Sequence, residues 1–69
     1  MRATQTGDVI TRTHGSTFTE ADERKTITWS TGDRSVIKEY VDADSVIVYD
    51  INDRLVQGLT LDPTYRYFN

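Results

Sequence analysis

Ser35-Val36-Ile37-Lys38-Glu39-Tyr40-Val41 decides the fold of this chain, because it can be read in two ways. As a strand it puts Val36, Lys38 and Tyr40 on one face and Ile37, Glu39 and Val41 on the other. As a helix it gathers Val36, Ile37, Tyr40 and Val41 into one apolar stripe, with Asp33 placed to cap the N-terminus. The strand reading is preferred. Val36, Ile37, Tyr40 and Val41 are branched at Cβ or aromatic, which suits a pleated surface. Thr31-Gly32-Asp33 just before them reads as a tight turn in which Gly32 can take a positive φ. A short helix at this point is the alternative.

Working outward, Lys25 to Ser30 alternates cleanly, with Ile27 and Trp29 on one face and Thr26, Thr28 and Ser30 on the other. On the C-terminal side, Asp42-Ala43-Asp44-Ser45 is a turn whose side chains can bond the local backbone. Val46 to Ile51 is the strongest strand signal, and its near-continuous apolarity suggests a central strand or burial on both faces. Asn52-Asp53 is expected to close a hairpin into Leu55 to Leu61, with Leu55, Leu59 and Leu61 facing the core and Gly58 marking a bulge. Asp62-Pro63-Thr64 is expected to break that strand. On the N-terminal side, Thr17 to Lys25 is too polar to bury a helical face. It reads as a charged hairpin tip or a single helical turn capped by Thr19 with Asp22. Asp8 to Thr13 is a weaker strand between Gly7 and His14-Gly15-Ser16.

The sum is an all-β, mainly antiparallel domain. Four to five strands at roughly ten-residue spacing suggest a meander forming a curved sheet or small barrel, with allowance for one short helix. The 69 residues (1–69) make a single domain. Eleven threonines reinforce the β reading.

Composition excludes several classes. There is no cysteine and one histidine, so disulfides, thiolate zinc sites and His-rich metal sites are excluded. The formal net charge is −3, which argues against a chain built around a polyanion. The N-terminus lacks the apolar stretch of a signal peptide, and Val46-Ile47-Val48-Tyr49 is far short of a membrane span. A cytoplasmic location is expected. A domain this small usually needs a staple, and with none encoded, a partner chain becomes the leading expectation.

No constellation points to catalysis. His14 lies beside Thr13, Ser16 and Thr17, but a nucleophilic site also needs an orienting carboxylate and a shaped pocket. Asp42, Asp44, Asp50, Asn52 and Asp53 offer oxygen ligands in two turns read as neighbours. They lack the pattern of a calcium loop and are the residues turns require anyway. No metal, cofactor or catalytic residue is assigned. Tyr65-Arg66-Tyr67-Phe68 combines aromatics with arginine and could stack bases. The six arginines and two lysines are scattered along the chain, however.

Tyr49-Asp50-Ile51-Asn52-Asp53-Arg54-Leu55, with Thr60, Asp62-Pro63 and Tyr65-Arg66-Tyr67 downstream, resembles one tyrosine–aspartate repeat of the large encapsulating-shell proteins. Asp53 stands where that repeat has its turn glycine. The pattern occurs once, whereas that architecture depends on many stacked copies. The resemblance implies shared hairpin chemistry, and no function is carried over.

The expected function is that of a non-enzymatic protein–protein interaction module. It would be an accessory protein of a phage or mobile element, docking on a larger protein or on its own copy as a homodimer. Docking would use an exposed sheet edge or an aromatic face. Its expected contact residues are Trp29, Tyr40, Tyr65, Arg66, Tyr67 and Phe68, since aromatics and arginine are enriched at binding hot spots. The alternative is a small barrel that binds single-stranded nucleic acid, which requires salt-dependent binding to oligonucleotides. No membrane partner is expected.

Overall fold

The computed structural model describes residues 1–65. The strands are β1 (Arg2–Thr6), β2 (Val9–His14), β3 (Lys25–Trp29), β4 (Arg34–Asp42), β5 (Ser45–Val48) and β6 (Arg54–Tyr65). They close into an antiparallel barrel in the order β1-β2-β5-β4-β3-β6. Ser35–Val41 is therefore strand, within β4. The all-β small barrel read from the sequence is the fold observed, with six strands in place of four or five.

The connectivity is not a simple meander. β3, β4 and β5 are consecutive antiparallel neighbours, and β6 returns to lie beside β3, which is a Greek key. Two long strands make closure possible. The first half of β4 pairs with β3 and its second half with β5. The first half of β6 pairs with β1 and its second half with β3. Gly58 sits where β6 changes partner: it pairs with Arg2, and its carbonyl accepts from Ser30 N–H at 2.8 Å. It marks a barrel corner. The bulge expected at Gly58 lies instead at Leu55–Val56, where these two residues of β6 oppose the single Thr4 of β1 between the Ala3–Gln57 and Gln5–Arg54 pairs.

A second bulge explains the ambiguity of Ser35–Val41. The β4–β5 register slips between Ile37 and Glu39, so Ile37 and Tyr40 both turn toward the core despite their spacing of three. An inward spacing of three is also helical spacing, and the bulge therefore imitates a helix in the sequence.

The core is Ala3, Ile10, Phe18, Ile27, Trp29, Ile37, Val46, Val48 and Leu59, with Met1, Tyr40 and Leu61 packed against it. β1 leaves little trace in the sequence because its inward residues are Ala3 and Gln5, one small and one polar, both buried. The β1–β2 connection is the two-residue loop Gly7-Asp8, where Gly7 supplies the positive φ (63°) such loops demand. The charged stretch after β2 holds a single 3-10 turn, Glu20–Asp22, in which Thr19 N–H donates to Asp22 Oδ2 at 2.9 Å. Its neighbour Phe18 is no surface residue. It is buried, anchored by its N–H to the Ala43 carbonyl at 2.8 Å, and plugs one end of the barrel.

Four expectations are corrected. Val46–Ile51 is not buried on both faces: Val46 and Val48 point inward, Ile47 is half-buried, and the strand ends at Val48. Asn52-Asp53 does not close a hairpin, since β5 and β6 are not neighbours. Residues 49–53 instead cross the end of the barrel, fixed to the β1–β2 loop by Asn52 N–H to Gly7 O at 2.8 Å and Gly7 N–H to Asp53 Oδ1 at 3.0 Å. That removes the hairpin basis for the shell-repeat resemblance. Leu55 is not core; it is 87% exposed, because the β6 bulge turns it outward. Finally, Asp62-Pro63-Thr64 does not end β6. The two residues between the Asp62–Thr26 and Tyr65–Lys25 pairs form a bulge, where the N–H that proline lacks is not needed.

Candidate functional site

The expected contact residues are dispersed. Trp29 is a correction: it is 1% exposed and belongs to the core, with its indole N–H donating to Ser35 Oγ at 3.0 Å. Ile27 and Trp29 share the inward face of β3, so the alternation that identified the strand also buries its tryptophan. Tyr40 is half-buried and packs against the core. The backbone of Tyr65 pairs with Lys25 at the end of β6, while Arg66, Tyr67 and Phe68 lie outside the described residues.

The residues weighed for catalysis and metal binding are also apart. His14 is exposed at the end of β2, with Nδ1 3.1 Å from Thr13 Oγ1 and no carboxylate partner among the described residues. Asp42 and Asp44 are at the barrel end plugged by Phe18, and Asp50 and Asp53 are at the opposite end, so the two turns are not neighbours. Asp44 Oδ1 pairs with Arg12 at 2.7 Å. Among the described residues, no group of three or more metal-ligating side chains comes together.

The end opposite Phe18 is closed by a polar network centred on Arg54, a residue the sequence reading passed over. Arg54 opens β6 opposite Gln5 of β1. Its side chain is 9% exposed and its guanidinium lies over the Trp29 ring, 5.0 Å from the centroid. Nη1 donates to Gln5 Oε1 and to Asp50 Oδ2, the latter at 3.1 Å, and Nε stands 3.8 Å from Asp33 Oδ2. Gln5 Nε2 donates to the Gly7 carbonyl at 2.8 Å, and Asn52 Nδ2 to Asp50 Oδ2 at 3.0 Å. Burial pushes the Asp50 carboxyl upward. Hydrogen bonds from Asn52, Arg54, Ser35 and Gln5 outweigh it and hold the group below the ordinary carboxylate range. The cation is committed to carboxylates, an amide and an indole face. Chemically this network is a lid that fastens residues 49–53 across the barrel mouth.

A different surface stands open. Strand register places Leu55 and Val56 of β6, Thr4 and Thr6 of β1, Val9 and Thr11 of β2 and Ile47 of β5 on the outside of adjacent strands. Thr4 pairs with Thr11, Thr6 with Val9, and Val9 with Ile47. Thr4, Thr6 and Leu55 also line one groove, together with Gln5, Asp53 and Arg54. Ile51, 77% exposed, sits at the edge of this face, one residue from the Asn52–Gly7 hydrogen bond. These positions carry no charge, but exposed Arg2 shares the outer side of β1 with Thr4 and Thr6. Asp8, Asp53 and Glu39 border the face. One signal for it was available: adjacent strand residues point to opposite faces, so Leu55-Val56 had to expose a large apolar side chain. The bulge that exposes both was not encoded in any residue type.

No known protein family, curated protein or solved structure matches this chain. Among the described residues, no helix is long and apolar enough to cross a membrane.

Proposed function

We propose that this protein is a non-enzymatic interaction module that binds another protein through the outer face of β6, β1, β2 and β5. The observation that supports this is the exposure of Leu55 (87%), Ile51 (77%) and Val56 (50%) beside the outward Thr4, Thr6, Val9, Thr11 and Ile47, with Arg2 the charged outward residue of β1. Isolated exposed apolar residues are ordinary, but a contiguous apolar surface bordered by charge is the usual mark of a binding site. Closure of the barrel narrows the mode of docking. A closed sheet has no free edges to be extended by a partner strand, so contact is made side chain to side chain across the face.

The test is capture from the source cell with the wild-type chain and with Leu55→Asp/Val9→Lys, both checked for folding. The expected result is a defined partner retained by the wild type and lost by the variant. Retention of the same partners by both chains, or of none by either, contradicts the reading.

Four of the eight basic residues lend no support to the nucleic-acid alternative. Arg12, Lys25 and Arg54 are engaged with Asp44, Asp22 and Asp50, and Lys38 lies over the Tyr49 ring.

A further inference from the structure

We infer that residues 49–53 are a strap that opens and closes across the barrel mouth as a unit while the six strands stay folded, with Asp50 as its latch. The strap runs between the end of β5 and the start of β6 and joins no strand ladder. Its two large side chains, Tyr49 and Ile51, are exposed, as are Asn52 and Asp53; Asp50 is the one member of the five that is half-buried. Lifting the strap therefore uncovers little apolar surface, and the burial that holds the barrel together is left intact. The described contacts that hold residues 50–53 down are polar. Asp50 Oδ2 accepts from Arg54 Nη1 at 3.1 Å and from Asn52 Nδ2 at 3.0 Å, and the Asp50 carbonyl accepts from Gln5 Nε2 at 3.3 Å. Asn52 N–H donates to Gly7 O, and Gly7 N–H to Asp53 Oδ1. At a solvent-facing barrel end, water replaces such bonds at modest net cost.

The open state keeps its charges paired. Arg54 belongs to β6 and stays over the Trp29 ring when the strap lifts. It does not become a lone buried cation, because Asp33 Oδ2 in the β3–β4 turn already stands 3.8 Å from its Nε. Opening bares the mouth-side groups of Gln5 and Arg54 and swings Ile51 away from the barrel end. The charged groups around the latch are Arg54 of β6, Asp33 of the β3–β4 turn, Asp53 of the strap, Asp8 of the β1–β2 loop and Lys38 of β4, which lies over the Tyr49 ring. Arg54 and Lys38 stay charged in acid, so the response to pH comes from the carboxylates. A protonated Asp50 loses its hold on Arg54, and opening becomes more frequent as pH falls below the ordinary carboxylate range. Asp53 loosens in the same sense when it is protonated, whereas Asp33 opposes by ceasing to receive Arg54.

Native-state hydrogen exchange of the full chain, read by NMR across pH and low urea, tests this. Gly7 and Asn52 N–H report on the strap, and the β3 and β4 amides report on the barrel. The two strap amides are expected to exchange together, at least about tenfold faster than the barrel amides and with rates nearly flat in urea below the unfolding transition. Asp50→Asn should speed them about tenfold at neutral pH. That acceleration should vanish below about pH 4, after correction for intrinsic exchange rates. Asp33→Asn should do the opposite and slow them about twofold or more, because the open state loses its alternative ion pair. A variant that merely loosened the fold would speed every amide instead. If Asp50→Asn does not fold, Asn52→Ala takes its place, with an expected acceleration of about threefold from the one hydrogen bond removed. Strap amides that exchange only with the barrel and on its urea slope overturn the inference. So do strap amides with no protection at all, or rates indifferent to the substitutions at both Asp33 and the latch.

Discussion

Replacing Arg54 with alanine should remove a large part of the stability of this barrel. The side chain is 9% exposed and closes the barrel mouth between Trp29, Gln5 and Asp50. Deleting it strips Asp50 of its cation and Gln5 Oε1 of its donor, and uncovers the indole. Removing one member of a buried ion pair costs about 3–5 kcal/mol. Asp50 retains a side-chain exposure of 27%, so water would rescue part of that loss. Loss of the cation–π contact adds about 1 kcal/mol. We expect a net loss of about 3 kcal/mol. A chain of this length is worth only about 3–10 kcal/mol in total. At about 4–8 °C per kcal/mol, the midpoint should fall by about 12–24 °C. Trp29 is the single tryptophan and lies beneath the guanidinium, so its fluorescence in urea and thermal titrations reports the transition directly. Arg54→Lys, which keeps the charge but loses the planar fork, should fall between the two. A loss below about 1 kcal/mol for Arg54→Ala would refute the view that this network closes the barrel.

Other perturbations follow from the same geometry. Asp50 has a lowered pKa, so its contribution is present above the ordinary carboxylate value of about 3.9 and is lost as pH falls through the lowered folded value. The stability gap between wild type and Asp50→Asn should therefore close below about pH 4; a gap that widens there is contrary to the assignment. Phe18→Ala should open the plugged end and cost about 3 kcal/mol or more, measured by urea denaturation. Gly7→Ala should cost about 1 kcal/mol or more, since alanine is strained at a φ of 63°. Leu55→Asp should leave monomer stability within about 0.5 kcal/mol, because the side chain is 87% exposed.

The fold was legible in the sequence where strands alternate and turns carry the residues turns need. Lys25–Trp29, Gly32 and Thr19 with Asp22 are examples. It was obscured where closure of the barrel overrides the period. The bulge after Ile37 gave β4 a helical spacing, and the bulge at Leu55–Val56 moved Leu55 from the expected core to the surface. β1 was hidden because a barrel interior already filled by Trp29, Phe18 and isoleucines accepts Ala3 and a hydrogen-bonded Gln5. The candidate site was less legible still. Aromatic enrichment at interfaces pointed to Trp29, yet the same aromatic bulk makes it the largest fully buried side chain. The open face is made of threonine and aliphatic residues on separate strands, and only the register brings them together.

The most direct test of the account is a titration of the ¹⁵N-labelled chain with the protein it captures, followed by ¹H–¹⁵N correlation spectra. Shift changes should be confined to Thr4, Thr6, Val9, Thr11, Ile47, Leu55 and Val56 and their immediate neighbours, with the Trp29 indole unmoved. Changes centred on the Trp29 indole, on the Phe18 end of the barrel, or absent from β1 and β6 would contradict it.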